Sequence, residues 1–148
     1  NIYGPRMGMS HVIPELLQQS WNAKDGDALH VYSVNHRRSF CYIDDAVEML
    51  LKIIYSESCS GKVLNLGRQD PEVSMMDVAE TVLRVQGKSL KIHPLPETSG
   101  SPSRRAPDMG LTNKLTRFEA SIELEDGIRR TFDWYKQFVF KSEGASAK

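Results

Sequence analysis

Ser74, Asp77 and Gly87 bracket the most tightly specified segment of the chain. A serine followed three residues later by an acid is a capping pair that opens a helix, and glycine is the residue that most readily closes one. Between them Met75, Val78, Ala79 and Val82 recur at helical spacing, so the segment Ser74 to Gln86 is expected to bury one apolar face. Its neighbours are strand-like. Leu90 to Leu95 alternates on one side, and Val63-Leu64-Asn65-Leu66-Gly67 is a short apolar run ending on a glycine on the other. A chain that alternates in this way is α/β, or α+β in isolation.

The same reading extends to both ends. His11 to Trp21 is expected to be a helix, with Ile13, Leu16, Leu17 and Trp21 on one face and Pro14 tolerated in the first turn. A polar loop over residues 22–27 leads to a strand from Ala28 to Tyr32, and a second strand is expected from Ser39 to Ile43. Asp44 is placed to cap a helix running to Tyr55. That helix carries two apolar stripes, Val47, Leu50, Leu51 and Ile54 on one side and Ala46, Met49 and Ile53 on the other, so it needs cover twice. Residues 99–103 are a small, polar, proline-broken loop, followed by a short helix near Thr112 to Arg117 and a last one from Leu124 to Phe138. One domain is expected over residues 1–140, with a disordered tail over 141–148. The opening at Asn1, directly on the turn Tyr3-Gly4-Pro5, reads as a chain cut from something longer or truncated at its 5′ end.

Composition excludes several classes. Nineteen basic and nineteen acidic residues balance, which leaves no global field for nucleic acid or an acidic membrane surface. No apolar run approaches the ~20 residues of a membrane span, and no signal peptide opens the chain. Cys41 and Cys59 have no metal-ligand spacing and read as free thiols, so a cytoplasmic location is expected.

The residues that can carry chemistry are few. Arg37-Arg38 and Arg104-Arg105 each stand at the edge of a loop; two guanidinium forks converging there would clamp a pyrophosphate, and solvated surface charge is the competing reading. His11 stands at a helix start, where a ligand contact and a local role are equally open, whereas His30, His36 and His93 read as structural or surface. Asp44-Asp45 fits helix capping better than acid–base work. No glycine-rich dinucleotide fingerprint occurs, and no tyrosine is followed by lysine four positions on.

Taken in order, several segments form a pattern. Asn1-Ile2-Tyr3-Gly4-Pro5-Arg6, His11-Val12-Ile13-Pro14, Val31-Tyr32, Arg38-Ser39-Phe40-Cys41-Tyr42-Ile43-Asp44-Asp45-Ala46-Val47, Asn65-Leu66-Gly67, Arg105-Ala106-Pro107-Asp108 and Leu124-Glu125-Asp126-Gly127-Ile128 follow one another at characteristic distances. Together they resemble the extended short-chain dehydrogenase/reductase family, specifically its NAD-dependent sugar-nucleotide epimerases, dehydratases and decarboxylases. The resemblance implies the C-terminal, substrate-binding subdomain of a Rossmann-type enzyme, without the nucleotide-binding half. It implies NAD or NADP in the parent enzyme, none bound by this chain alone, and no catalytic residue here. Its ligand is a nucleoside-diphosphate sugar. The substrate contacts it implies are Asn1 near the diphosphate or sugar, His11 and Val12 at the helix start, and Val31 and Tyr32 beside the nucleotide. Arg38 and Arg105 would hold the phosphates, with Asp108 orienting Arg105 or touching the ribose. Where the family has glycine after Val-Tyr, this chain has Ser33. In the family, the strand at Val63 to Leu66 joins the Rossmann sheet beside the Asp44–Tyr55 helix. Without that sheet, self-association through the uncovered surfaces is expected.

Overall fold

The computed structural model describes residues 1–141; the expected tail from residue 142 onward lies outside them. Strands β1 (Ile2–Tyr3), β2 (Ala28–Tyr32), β3 (Arg37–Ser39), β4 (Cys41–Tyr42), β5 (Glu72–Ser74), β6 (Lys91–Leu95) and β7 (Arg104–Arg105) are interleaved with helices. These are α1 (Val12–Asn22), α2 (Ile43–Ile54), α3 (Met75–Gln86), α4 (Gly110–Thr116) and α5 (Leu124–Tyr135), which continues as a π-helical turn over Lys136–Phe140. The architecture is α/β, with three small sheets among the described residues. β1 pairs with β4 and β2 with β6, both parallel, while β3 lies between antiparallel β5 and parallel β7.

α3 forms where its caps direct. Ser74 accepts from Asp77 N at 3.0 Å and Asp77 accepts from Ser74 N at 2.8 Å, and Gly87 closes the helix in the left-handed conformation. Val78, Ala79 and Val82 are fully buried against Ile13, Leu17, Leu29 and Ile128, so the core lies between α1, α3, α5 and the β2–β6 pair. Phe140 stacks on Trp21 with ring centroids 5.8 Å apart, which tucks the π-turn against α1. α5 approaches the β1–β4 pair through Gly127. A Cβ there would stand 2.0 Å from Tyr3 Oη and 2.9 Å from Tyr42 Cδ2, and Tyr3 donates to Leu124 O at 3.2 Å across this contact.

Three expectations are corrected. The second strand is broken: β3 begins at Arg37, so both arginines are sheet residues, and helix α2 starts at Ile43 with Tyr42 as its N-cap. Asp44 is therefore a first-turn residue that compensates the helix dipole. The adjoining Asp45 is buried and accepts from Ser121 N and Ile122 N at 3.0 and 2.8 Å, tying α2 to the segment before α5. Finally, the run Val63 to Leu66 forms no strand among the described residues, and Val63 is 97% exposed. A strand needs another strand for its backbone groups, and among the described residues none pairs with this run, whose Asn65 O accepts instead from Thr112 Oγ1 at 2.8 Å.

Candidate ligand-binding site

Parallel strands that end together leave a crevice at their carboxyl ends, where ligands of α/β proteins collect. Here β2 ends at Tyr32 and the chain turns tightly, with Ser33 at φ 52° and His36 N donating to Ser33 O at 2.8 Å, before entering β3. A cavity of about 260 Å³ opens at this point, walled by Val12 and Glu15 of α1, Val31 and Tyr32 of β2, His36, and Arg38 of β3, with Thr98 and Ser101 across it. Of the expected contacts, Val12, Val31, Tyr32 and Arg38 meet in this one cavity. Val31 is buried in its floor and Tyr32 is more than half exposed at its rim. That is the arrangement of an aromatic face open to a planar group.

Arg38 is buried to 7% exposure. Its Nη2 donates to Ser101 Oγ at 2.9 Å and Pro102 O at 2.7 Å, and its Nη1 to Arg37 O at 2.7 Å. The parallel register of β3 and β7 sets Arg105 directly beside it. Burial and the neighbouring Arg105 charge both hold the Arg38 guanidinium below its ordinary pKa. Two cations at adjacent register positions, one of them desolvated, repel each other unless an anion lies between them. Arg105 itself is exposed and donates to Asn1 Oδ1 at 3.2 Å, while Asn1 Nδ2 donates to Ser39 O at 3.0 Å. Asn1, Arg105 and Arg38 thus form one continuous polar edge. Arg37 and Arg104 are exposed and both bind Glu72: Arg37 its carbonyl at 2.6 Å, Arg104 its carboxylate in a two-pronged pair at 2.6 to 3.1 Å.

Four expected contacts lie apart from the cavity wall: Asn1 and Arg105, on the polar edge just described, and His11 and Asp108. His11 is exposed at the start of α1, as its N-cap, and its side chain makes no capping bond. Asp108 Oδ1 accepts from Gly110 N at 2.9 Å and its carbonyl accepts from Asn65 Nδ2 at 2.8 Å, so it organises the entry to α4. Arg105 is positioned by Asn1 instead. Ser33, His36, Thr98 and Ser101 are wall residues that sequence reasoning missed. Ser33 carried a signal, since a serine in a left-handed turn where glycine is expected suggests work for its hydroxyl. That hydroxyl accepts from Thr98 N at 2.9 Å. Among the described residues no cluster of three or more His, Cys, Asp or Glu side chains is placed to hold a metal. No described helix is long and apolar enough to cross a membrane.

Residues 1–67 match the NAD dependent epimerase/dehydratase family. The chain is related to that family and corresponds to a portion of a full-length member. It is 30% identical over 131 residues to UDP-glucuronic acid decarboxylase 3 of Arabidopsis thaliana, covering 86% of this chain and 36% of that protein. It is likewise 30% identical over 152 residues to GDP-mannose 3,5-epimerase of the same plant, covering 97% of this chain and 38% of that one. The chain therefore spans less than two fifths of the length of these relatives. Among solved structures, the fold matches UDP-glucuronic acid 4-epimerase of Bacillus cereus in complex with UDP-glucuronic acid and NAD. The TM-score is 0.81 at 24% identity, over 93% of this chain and 43% of that one. It also matches a UDP-glucose 4-epimerase of Thermotoga maritima with UDP-glucose, with a TM-score of 0.80 at 19% identity.

Proposed function

We propose that this chain is the C-terminal, substrate-binding portion of an NAD(P)-dependent nucleoside-diphosphate-sugar epimerase, dehydratase or decarboxylase, gripping the ligand without turning it over. The observation that carries the reading is the pairing of Arg38, buried in the cavity wall, with exposed Arg105 at the facing position of β7. A diphosphate fits between two guanidinium groups because each offers parallel N–H donors and neither loses its charge at neutral pH. Val31 and Tyr32 then flank the nucleoside, Val12 closes the opposite wall, and Asn1 holds Arg105 in place. His11 and Asp108 stand outside that wall in this structure and act on the ligand only if their segments move toward it.

The chain's own residues do not fit NAD or NADP. A dinucleotide needs a glycine-rich turn between a strand and a helix, so that backbone N–H groups approach the pyrophosphate. Here β4 runs straight into α2 and β5 straight into α3, and the turns that lead from β1 to α1 and from β7 to α4 carry no G-x-G-x-x-G. NAD(P) belongs to the parent enzyme in this proposal, and hydride chemistry with it.

Titration calorimetry with UDP- and dTDP-sugars tests the reading. A charge-assisted hydrogen bond contributes about 1.5–3 kcal/mol, so Arg38→Ala or Arg105→Ala should weaken binding roughly 10- to 100-fold. If both substitutions leave the affinity unchanged, the clamp assignment is wrong.

A second reading, a stand-alone binding or self-associating module without enzymatic activity, is favoured by α2. Val47, Leu50, Leu51 and Ile54 are all exposed along one side of it, and Val63 is bare nearby in sequence. An apolar stripe of this kind is the signature of an interface. Light scattering at rising concentration should show dimers or larger species that Leu51→Glu returns to monomer; a clean monomer throughout rules out the self-associating form of this reading.

A further inference from the structure

We infer that His36 is a specificity-determining residue of the cavity, accepting through Nδ1 a hydrogen bond from a donor on the nucleoside whose phosphate Arg38 holds. The inference rests on the reading just given and adds to it what the cavity demands of the ligand. His36 is 2% exposed, forms part of the cavity wall, and stands two residues from Arg38 in the same turn-and-strand segment. Its backbone is fixed at both ends, with N donating to Ser33 O at 2.8 Å and O accepting from Met75 N at 3.1 Å. The ring therefore has little room to leave.

The two ring nitrogens have different surroundings. Nε2 faces Glu97 Oε2 at 3.5 Å. A carboxylate only accepts, so it favours the tautomer with the proton on Nε2 and leaves Nδ1 as an acceptor. Nδ1 is buried and has no hydrogen-bond partner among the described residues. A buried acceptor without a donor is costly, and a native site retains one where a ligand supplies what is missing.

The route to it is built in. Glu97, Thr98 and Ser101 belong to one segment, held to the wall by Thr98 N on Ser33 Oγ at 2.9 Å and by Ser101 Oγ and Pro102 O on Arg38 Nη2. A phosphate that takes Arg38 Nη2 displaces Ser101 and loosens the segment that also carries Glu97, the neighbour of His36 Nε2. The nucleoside donor then supplies the hydrogen bond that Nδ1 lacks. Two sources have this chemistry, a ribose hydroxyl and an N–H of the base.

The test starts by titrating UDP, dTDP and GDP against inorganic pyrophosphate. If none binds more tightly than pyrophosphate, the nucleotide-sugar reading itself fails, and this inference with it. The tightest of the three is then compared with its 2′-deoxy, 3′-deoxy and base N-methyl analogues where these differ from it. The expected result is that one analogue loses about 10-fold in affinity, which names the donor. His36→Gln, whose amide reaches the Nε2 position, should erase that difference while leaving pyrophosphate affinity unchanged. His36→Asn, whose carbonyl oxygen replaces Nδ1, should keep most of it. If His36→Gln does not fold, Glu97→Ala at an exposed position serves instead and should cut the discrimination at least threefold. No analogue discriminated by the wild-type protein, or discrimination unchanged in His36→Gln or Glu97→Ala, overturns the assignment.

Discussion

Helices α2 and α3 are each 12 residues long, and both are rich in apolar side chains. Yet α3 buries Met75, Val78, Ala79, Thr81, Val82 and Leu83, whereas α2 buries only Asp45, Ala46 and Met49. The difference is one of surroundings. α3 is enclosed by α1, α5 and β2, while α2 has β1, β4 and α4 on one side and water on the other. Apolar content therefore says how much cover a helix needs, and only the rest of the fold says whether it receives it. The ligand cavity lies on the enclosed side, on elements that the core holds in place.

The sharpest way to break this contrast is to remove equal bulk from each side. Ile128 of α5 is fully buried, so Ile128→Ala should cost about 2–5 kcal/mol in a denaturant melt. Overpacking the same region should cost somewhat less: the methyl of Gly127→Ala would overlap Tyr3 and Tyr42, at about 1–3 kcal/mol. Ser74→Ala removes half of the capping box of α3 and should cost about 1 kcal/mol. The Ser74 hydrogen bonds also hold the Asp77 carboxyl below its ordinary value of 3.8. A depressed folded-state pKa gives stability that is present above the unfolded value and is lost as the pH falls through the folded one. Ser74→Ala keeps the backbone N–H that is the larger cause, so it is Asp77→Asn that should flatten the loss of stability on acidification below about pH 4, measured by melts across pH. The smallest effect is expected on the open side. Ile54 is 64% exposed, and Ile54→Ala should change monomer stability by less than about 0.5 kcal/mol. A cost near that of Ile128→Ala would mean that α2 is covered in solution.

How much of this was legible in the sequence follows the same division. α1, β2, α3 and β6 lie within a residue or so of where periodicity and capping place them, because the signals that set them are local. The strands expected between Ser39 and Leu66 were misplaced, because their limits depend on which distant partners are present. β3 begins at Arg37 because β5 and β7 pair there, and Val63 to Leu66 stays irregular because no partner is present among the described residues. Asp45 looked like a cap, and its bonds to Ser121 N and Ile122 N lie too far along the chain to be read from it. Of the candidate site, Arg38 and Arg105 were recognisable only as members of an ordered set of motifs, since arginine pairs are common. Their adjacency is a matter of sheet register. His36 gave no signal, because an unpaired buried nitrogen exists only in three dimensions.

The most direct test of the central claim is a double-mutant cycle on Arg38 and Arg105 by calorimetric titration of UDP. Two arginines on one diphosphate act on the same charge, so each alanine should cost roughly 10- to 100-fold and the pair together less than the product of the two. Affinity for UDP that survives both substitutions unchanged would contradict the account, and the β3–β7 edge would then be solvated surface charge with no ligand to hold.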